Sequence, residues 1–203
     1  MNNSTTSTAA STQDRVLTAS LSASRAEKVI RFWFDTLEPK QWFSGGVEVD
    51  RMIENQFGDL LAPAVRGELW HWRQTALGRL AEILILDQFT RNCFRGTAKA
   101  FSGDSAALIL SQEAVDRAMQ NDLTPQQQHF LYMPFMHAES HHVHQVTRPL
   151  FVAMENEMLL KHFDEHAVVV AQFGRYPSRN TALGRDSTAE ELAYLENGSR
   201  WGQ

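Results

Sequence analysis

The sequence predicts an all-α protein made of stacked antiparallel helix pairs, either a bundle or a short helical solenoid. Three observations predict it. Apolar residues recur at helical spacing in one segment after another. No period-two run is bounded by hairpin turns. Helix-start signals stand where new helices must begin, above all Thr124-Pro125-Gln126-Gln127, where Thr caps, Pro takes the first helical position and Gln reaches back. No strict repeat aligns with itself, so periodicity alone does not imply a solenoid.

Residues 1–24, rich in Ser, Thr, Asn and Ala, read as a flexible polar tail. They lack a basic stretch followed by an apolar one, so they do not read as a secretory signal. Residues 25–203 read as a single helical domain. The first helix spans about Arg25 to Phe34, carries Ile30, Phe32, Trp33 and Phe34, and stops ahead of Pro39. After Gly45-Gly46 a second helix shows the stripe Val49, Ile53, Phe57, Leu60, Leu61 and Ala64. Gly58 and Pro63 are expected to bend or interrupt it.

A third helix, about Thr75 to Asn92, is expected at the centre of the fold. Leu77, Leu80, Ile83, Leu84, Ile85, Leu86 and Phe89 leave it almost no polar face. The fourth runs from about Asp104 to Gln120. The fifth opens at Thr124, and its Pro134 is expected to kink it around Met133 to Met136. Helices are then expected over about Pro149 to Phe163 and Asp164 to Phe173, the second ended by Gly174. The last, Thr188 to Asn197, opens on Ser187-Thr188-Ala189-Glu190, which reads as a capping box.

Composition narrows the function classes. A chain of 203 residues holds one well-filled core. Its net charge of −5 and the lack of any Lys/Arg run give no electrostatic footprint for nucleic acid. The longest apolar run, Ala81 to Leu86, contains Glu82 and stops at Asp87, far short of a membrane span. The single Cys93 excludes an intrachain disulfide and fits a reducing compartment, so a cytoplasmic location is expected. Cys93 comes after a helix end, where nothing lowers a thiol pKa, and is not expected to act as a nucleophile. Only Lys28, Lys40, Lys99 and Lys161 are lysines; the other basic residues are Arg, the better partner for buried carboxylates or for anions.

The informative polar residues are those that interrupt apolar stretches. In Leu86-Asp87-Gln88-Phe89-Thr90-Arg91-Asn92, Asp87 needs a partner, and Arg91 lies at ion-pair spacing one turn on. In Tyr132-Met133-Pro134-Phe135-Met136-His137-Ala138-Glu139, a His and a Glu come after a proline and could serve as acid or base. Phe173-Gly174-Arg175-Tyr176-Pro177-Ser178-Arg179-Asn180 and Gly184-Arg185 put three Arg in a loop before a capped helix, which suits either an anion site or internal pairing. His137, His141 and His144 are expected on one helix face, where a divalent metal is conceivable. The zincin spacing is absent, however, and a solvated face is expected with no metal.

Taken with Phe32-Trp33-Phe34, Trp42-Phe43 and Phe94-Arg95-Gly96, these motifs resemble the bacterial domain-of-unknown-function family nine-two-four, in order and over roughly Glu27 to the C-terminus. The resemblance implies an all-α fold related to tetratricopeptide repeats and carries no activity with it. Asp87, Gln88, Arg91, Asn92, His137, Glu139, Arg175, Arg179 and Asn180 match the family pattern. Thr90 stands where proline is usual, Ser178 where histidine is usual, and Glu82 in a normally apolar stretch.

Two functions are expected on these grounds. The first is a binding or scaffold module whose groove holds a peptide or protein partner. The second is an enzyme or sensor for a small anionic metabolite. There Asp87, His137 and Glu139 are the candidate acid/base groups, and Arg91, Asn92, Arg175, Arg179, Asn180 and Arg185 are the candidate ligand-binding residues. A third possibility is that the polar motifs are purely structural. Neither expectation includes a cofactor.

Overall fold

A computed structural model of the chain describes residues 25–197, so the polar stretch 1–24 lies outside the described residues. Helix α1 covers 25–31 and widens into a π-helical turn, Phe32–Thr36. Short α2 (Gln41–Ser44) leads into α3 (Gly46–Val65). A 3₁₀ turn, Trp70–Gln74, precedes α4 (Ala76–Ile83), which runs without a break through a π-helical segment, Leu84–Phe89, into α5 (Thr90–Cys93). Then come α6 (Asp104–Asp116), α7 (Pro125–His137), α8 (His141–Ala153) and α9 (Glu157–Phe173). A 3₁₀ turn at Pro177–Arg179 connects to α10 (Asn180–Leu183) and α11 (Ala189–Asn197). No strand occurs among the described residues.

The rod from α4 to α5 is the centre. Thr75 caps it by accepting the Gly78 N–H at 3.1 Å. From Leu80 to Thr90 every side chain is buried, the polar Glu82, Asp87, Gln88 and Thr90 included. Leu77 is the exception among the apolar residues read there: it lies 43 % exposed, between the buried Ala76 and Gly78. Phe89 sits at the middle of an aromatic cluster, 5.3 Å from Phe57 and 5.6 Å from Trp33 between ring centres, and Trp33 meets Phe130 edge-on at 5.4 Å. Thr90 settles the exit of the π-helical segment. Its N–H bonds the Ile85 carbonyl and its hydroxyl donates to the Leu86 carbonyl at 2.7 Å, two bonds that a proline could not make.

Several boundaries differ from the sequence expectation. Gly58 and Pro63 leave α3 unbroken, because Pro63 falls in its last turn. Helix α6 stops at Asp116, with Ala118 in the left-handed region (φ 54°), ahead of the expected Gln120. Helix α7 runs to His137 with Pro134 inside it, as the sequence places it. The break expected near Asp164 lies instead at 154–156: Pro149 sits inside α8, Glu155 turns left-handed, and Asn156 caps α9 by accepting the Leu159 N–H at 3.0 Å. The last capping box is Thr188 with Glu191, one residue on from the pair read in the sequence.

The main apolar core runs from Ala26 to Phe163. Val169, Val170 and Tyr176, with Phe173 and Tyr194 against them, form a second, smaller cluster. The segment beyond α9 is therefore attached to the body mainly by polar contacts.

Candidate functional site

The polar motifs meet where α7 ends beside the π-helical segment. Such segments recur at functional sites because the wide turn re-aims side chains, and here the wide turn holds Asp87, buried to 1 % exposure. His137, the last residue of α7, brings its Nδ1 to 2.7 Å from Asp87 Oδ1 and 3.0 Å from Oδ2. Gln88 donates to Oδ2 at 2.5 Å, and Arg91 lies 3.1 Å from Oδ1 while also donating to the Asp87 carbonyl. Burial raises the Asp87 pKa, but the Arg91 charge and the His137 contacts outweigh it and hold the carboxyl well below the usual carboxylate range.

An ionised carboxylate only accepts hydrogen bonds, so the proton between the two groups belongs to Nδ1. In the neutral ring the lone pair of His137 then sits on Nε2, which takes no hydrogen bond from any described residue. The side chain is 16 % exposed.

Arg91 continues the network with a two-point pair to Asp104, both contacts at 2.9 Å. Asp104 opens α6, and the residue before it, Gly103, lies so close to the Leu86 carbonyl that a Cβ there would overlap it. That close approach carries Asp104 to the rod. Arg179 reaches the same carboxylate at 3.2 Å, donates to the His137 carbonyl at 3.0 Å, and lies between Phe101 and Tyr176, 4.9 and 4.5 Å from their ring centres. Its Nε is buried without a partner. Burial, followed by the Arg91 charge, lowers the Arg179 pKa.

A second group lies behind the first. Glu139 accepts two bonds from Arg185, at 2.6 and 2.9 Å, and the Tyr176 N–H at 2.8 Å. Arg175 pairs with Glu191 at 2.6 and 2.9 Å. Asn180, 1 % exposed, donates to Glu191 and Ser187 and accepts from Arg185. The Arg175 hydrogen bonds bring the Glu191 pKa down to about 2. Across both groups four cations (Arg91, Arg175, Arg179, Arg185) face four carboxylates (Asp87, Asp104, Glu139, Glu191), each engaged at ion-pair distance.

Of the candidates read from the sequence, Asp87, Arg91, His137 and Arg179 converge. Glu139, Arg175, Asn180 and Arg185 form the group behind them. Asn92 points elsewhere, to Asp50 at 2.7 Å on α3. His137, His141 and His144 do not share a helix face, because 138–140 separate α7 from α8. His144 turns inward, its Nε2 2.9 Å from the Ala138 carbonyl. No cluster of three or more metal-ligating side chains occurs among the described residues.

Sequence reasoning missed Asp104, Tyr176 and His166. Asp104 reads as an ordinary acidic residue at a helix start. His166 reads as one more polar position on α9, yet it is 7 % exposed, with its ring 6.5 Å from His137 and 5.7 Å from Tyr176. Its Nδ1 lies 2.7 Å from the His162 carbonyl, and burial brings its pKa down to about 3.

Fold and site together define an all-helical protein with a carboxylate-held imidazole at the edge of its core. The chain belongs to the family described as Bacterial protein of unknown function (DUF924), whose model matches residues 29–199. Among solved structures it is similar to the protein of unknown function ATU0120 from Agrobacterium tumefaciens. The two are 37 % identical with a TM-score of 0.82, over 87 % of this chain and 99 % of that one. No curated protein matches the sequence. No helix among the described residues is long and apolar enough to cross a membrane.

Proposed function

We propose that this protein handles a small molecule at His137, with the imidazole as proton acceptor and Asp87 as the group that positions it. The observation that carries this is the double contact of Nδ1 with both oxygens of a fully buried carboxylate. In the step proposed, an O–H, N–H or S–H of the bound molecule gives its proton to the Nε2 lone pair, and the imidazolium formed stays paired with Asp87. Glu139, committed to Arg185 and the Tyr176 N–H, has no part in this step.

A clamp for an anionic metabolite has less support, because each guanidinium of the network is already opposite a carboxylate. The test is imidazole ¹⁵N NMR at neutral pH, with a library of small polar molecules titrated in. The expected result is a proton on Nδ1 of His137 and a subset of compounds that moves the Nε2 signal, both effects lost in Asp87→Asn. A proton on Nε2 instead, or no compound acting there, overturns the reading.

A second reading, a module for a peptide or protein partner, draws on Phe43 and Val47, 62 % and 67 % exposed beside Trp42. Phe43 stacks on His129 and Phe130, so its ring is fixed while much of its surface faces solvent.

A further inference from the structure

Residues 174–197 lie against the end of α7 beside the couple, with Arg179 on the His137 carbonyl and Tyr176 on the Met136 carbonyl. We infer that this segment is a strap that opens as a unit, separately from the rest of the fold, and so controls access to His137.

The main core stops at Phe163, so the strap contributes nothing to it. The smaller cluster on which the strap rests involves Val169, Val170, Phe173, Tyr176 and Tyr194. Contacts from the strap to the body are mostly polar: Arg185 on Glu139, the Tyr176 N–H on Glu139, the Tyr176 hydroxyl on the Met136 carbonyl, and Arg179 on Asp104 and the His137 carbonyl. Within the strap the bonds are dense. Arg175 and Asn180 both hold Glu191, Arg175 also takes the Asp186 carbonyl, and Arg185 holds Asn180 and the Tyr176 carbonyl. Helix α11 packs chiefly on the Pro177–Arg179 turn. A segment bonded well to itself and joined to its surroundings by few apolar contacts is what a sub-global opening unit requires.

Two surface depressions lie away from the couple, along the outer side of α9 at Leu160 and Val168 and between Phe173 and Glu190. Swinging the strap away removes Arg179 from Asp104 and from the His137 carbonyl, which uncovers the side of the network that ends on Arg91 and Asp87.

The gating part of this inference rests on the reading of His137 as the reactive group; the opening itself does not. The experiment is hydrogen exchange by mass spectrometry on the full chain across sub-denaturing urea, with carbethoxylation of His137 by diethyl pyrocarbonate tracked in parallel. In the unmodified chain, amides of 174–197 should share one opening that precedes the exchange of 76–89, and His137 labelling should keep pace with it. Glu139→Gln should raise both rates by about tenfold while 76–89 stays as it was. Exchange of 174–197 only together with 76–89 overturns the strap. Opening without a matching gain in His137 labelling overturns the gate, and neither outcome touches the tautomer measured by NMR. Should Glu139→Gln fail to fold, the urea series on the unmodified chain decides alone.

Discussion

Asp104 accepts from Arg91 through both of its oxygens and from Arg179 through one, so a single carboxylate at the start of α6 ties the central rod to the segment beyond α9. Asp104 retains 22 % exposure, whereas Arg179 has 6 %. Arg179 is therefore the partner that suffers if the pair is broken. Asp104→Asn should lower stability by about 3 kcal/mol, the typical loss when a buried charge is stripped of its counter-ion. Urea unfolding measures it, and a loss under 0.5 kcal/mol (roughly a surface-pair value) would remove Asp104 from the framework.

Gly103 makes that placement possible. Gly103→Ala would push a methyl against the Leu86 carbonyl and displace Asp104 from the rod. The expected result is a destabilisation of about 1–3 kcal/mol. In a double-mutant cycle with Asp104→Asn, the two changes should give less than the sum of their separate effects.

Glu82 and Arg73 pair at 2.7 Å through both carboxylate oxygens, with Glu82 fully buried and Arg73 at 29 % exposure. Arg73→Met alone leaves a buried carboxylate without its cation and should cost about 3–5 kcal/mol. Arg73→Met with Glu82→Leu removes both charges and should restore most of the loss. Thermal unfolding of the three variants decides, and a double variant no better than the single one would contradict the pairing as the source of the loss.

Acid should unfold the protein early. Burial brings His166 down to about 3 and His129 to about 4, and lowers His144 as well. Their folded values lie below the ordinary histidine value, so the stability they allow is complete above about pH 6.5. It is lost as pH falls toward 4, because the unfolded chain takes up protons that the folded one refuses. The unfolding midpoint in urea should fall steadily from pH 7 to pH 4.5, and His166→Phe should flatten that slope. A midpoint independent of pH over this range would count against buried neutral imidazoles.

The sequence made the helices legible because their signals are local. Thr124 caps where its tetrapeptide says it should, and the apolar run over 80–89 marks the buried rod. Boundaries failed where tertiary contacts override propensity: Pro149 is absorbed inside α8, while the break comes at Glu155, whose positive φ no composition announces. The ion pair of Asp87 and Arg91 was legible from spacing within one helix. Its extension to Asp104, and the seat of His166 beside His137, depend on residues brought together across 13 and 29 positions, which local pattern does not encode.

The π-helical segment Leu84–Phe89 sets the azimuth of everything beyond it. One residue more or fewer on a helix turns the side chains beyond it by about 100°. Ahead of the wide turn the rod keeps the phase that buries Leu80 and Ile83. After it, the phase is the one that sets Arg91 against Asp104 and Asn92 against Asp50. A chain with one residue deleted between Leu84 and Leu86 could keep a straight α-helix there. Such a deletion removes the one extra residue that the wide turn absorbs, so Arg91 and Asn92 would go on facing Asp104 and Asp50 while Asp87 alone loses the turn that aims it at His137.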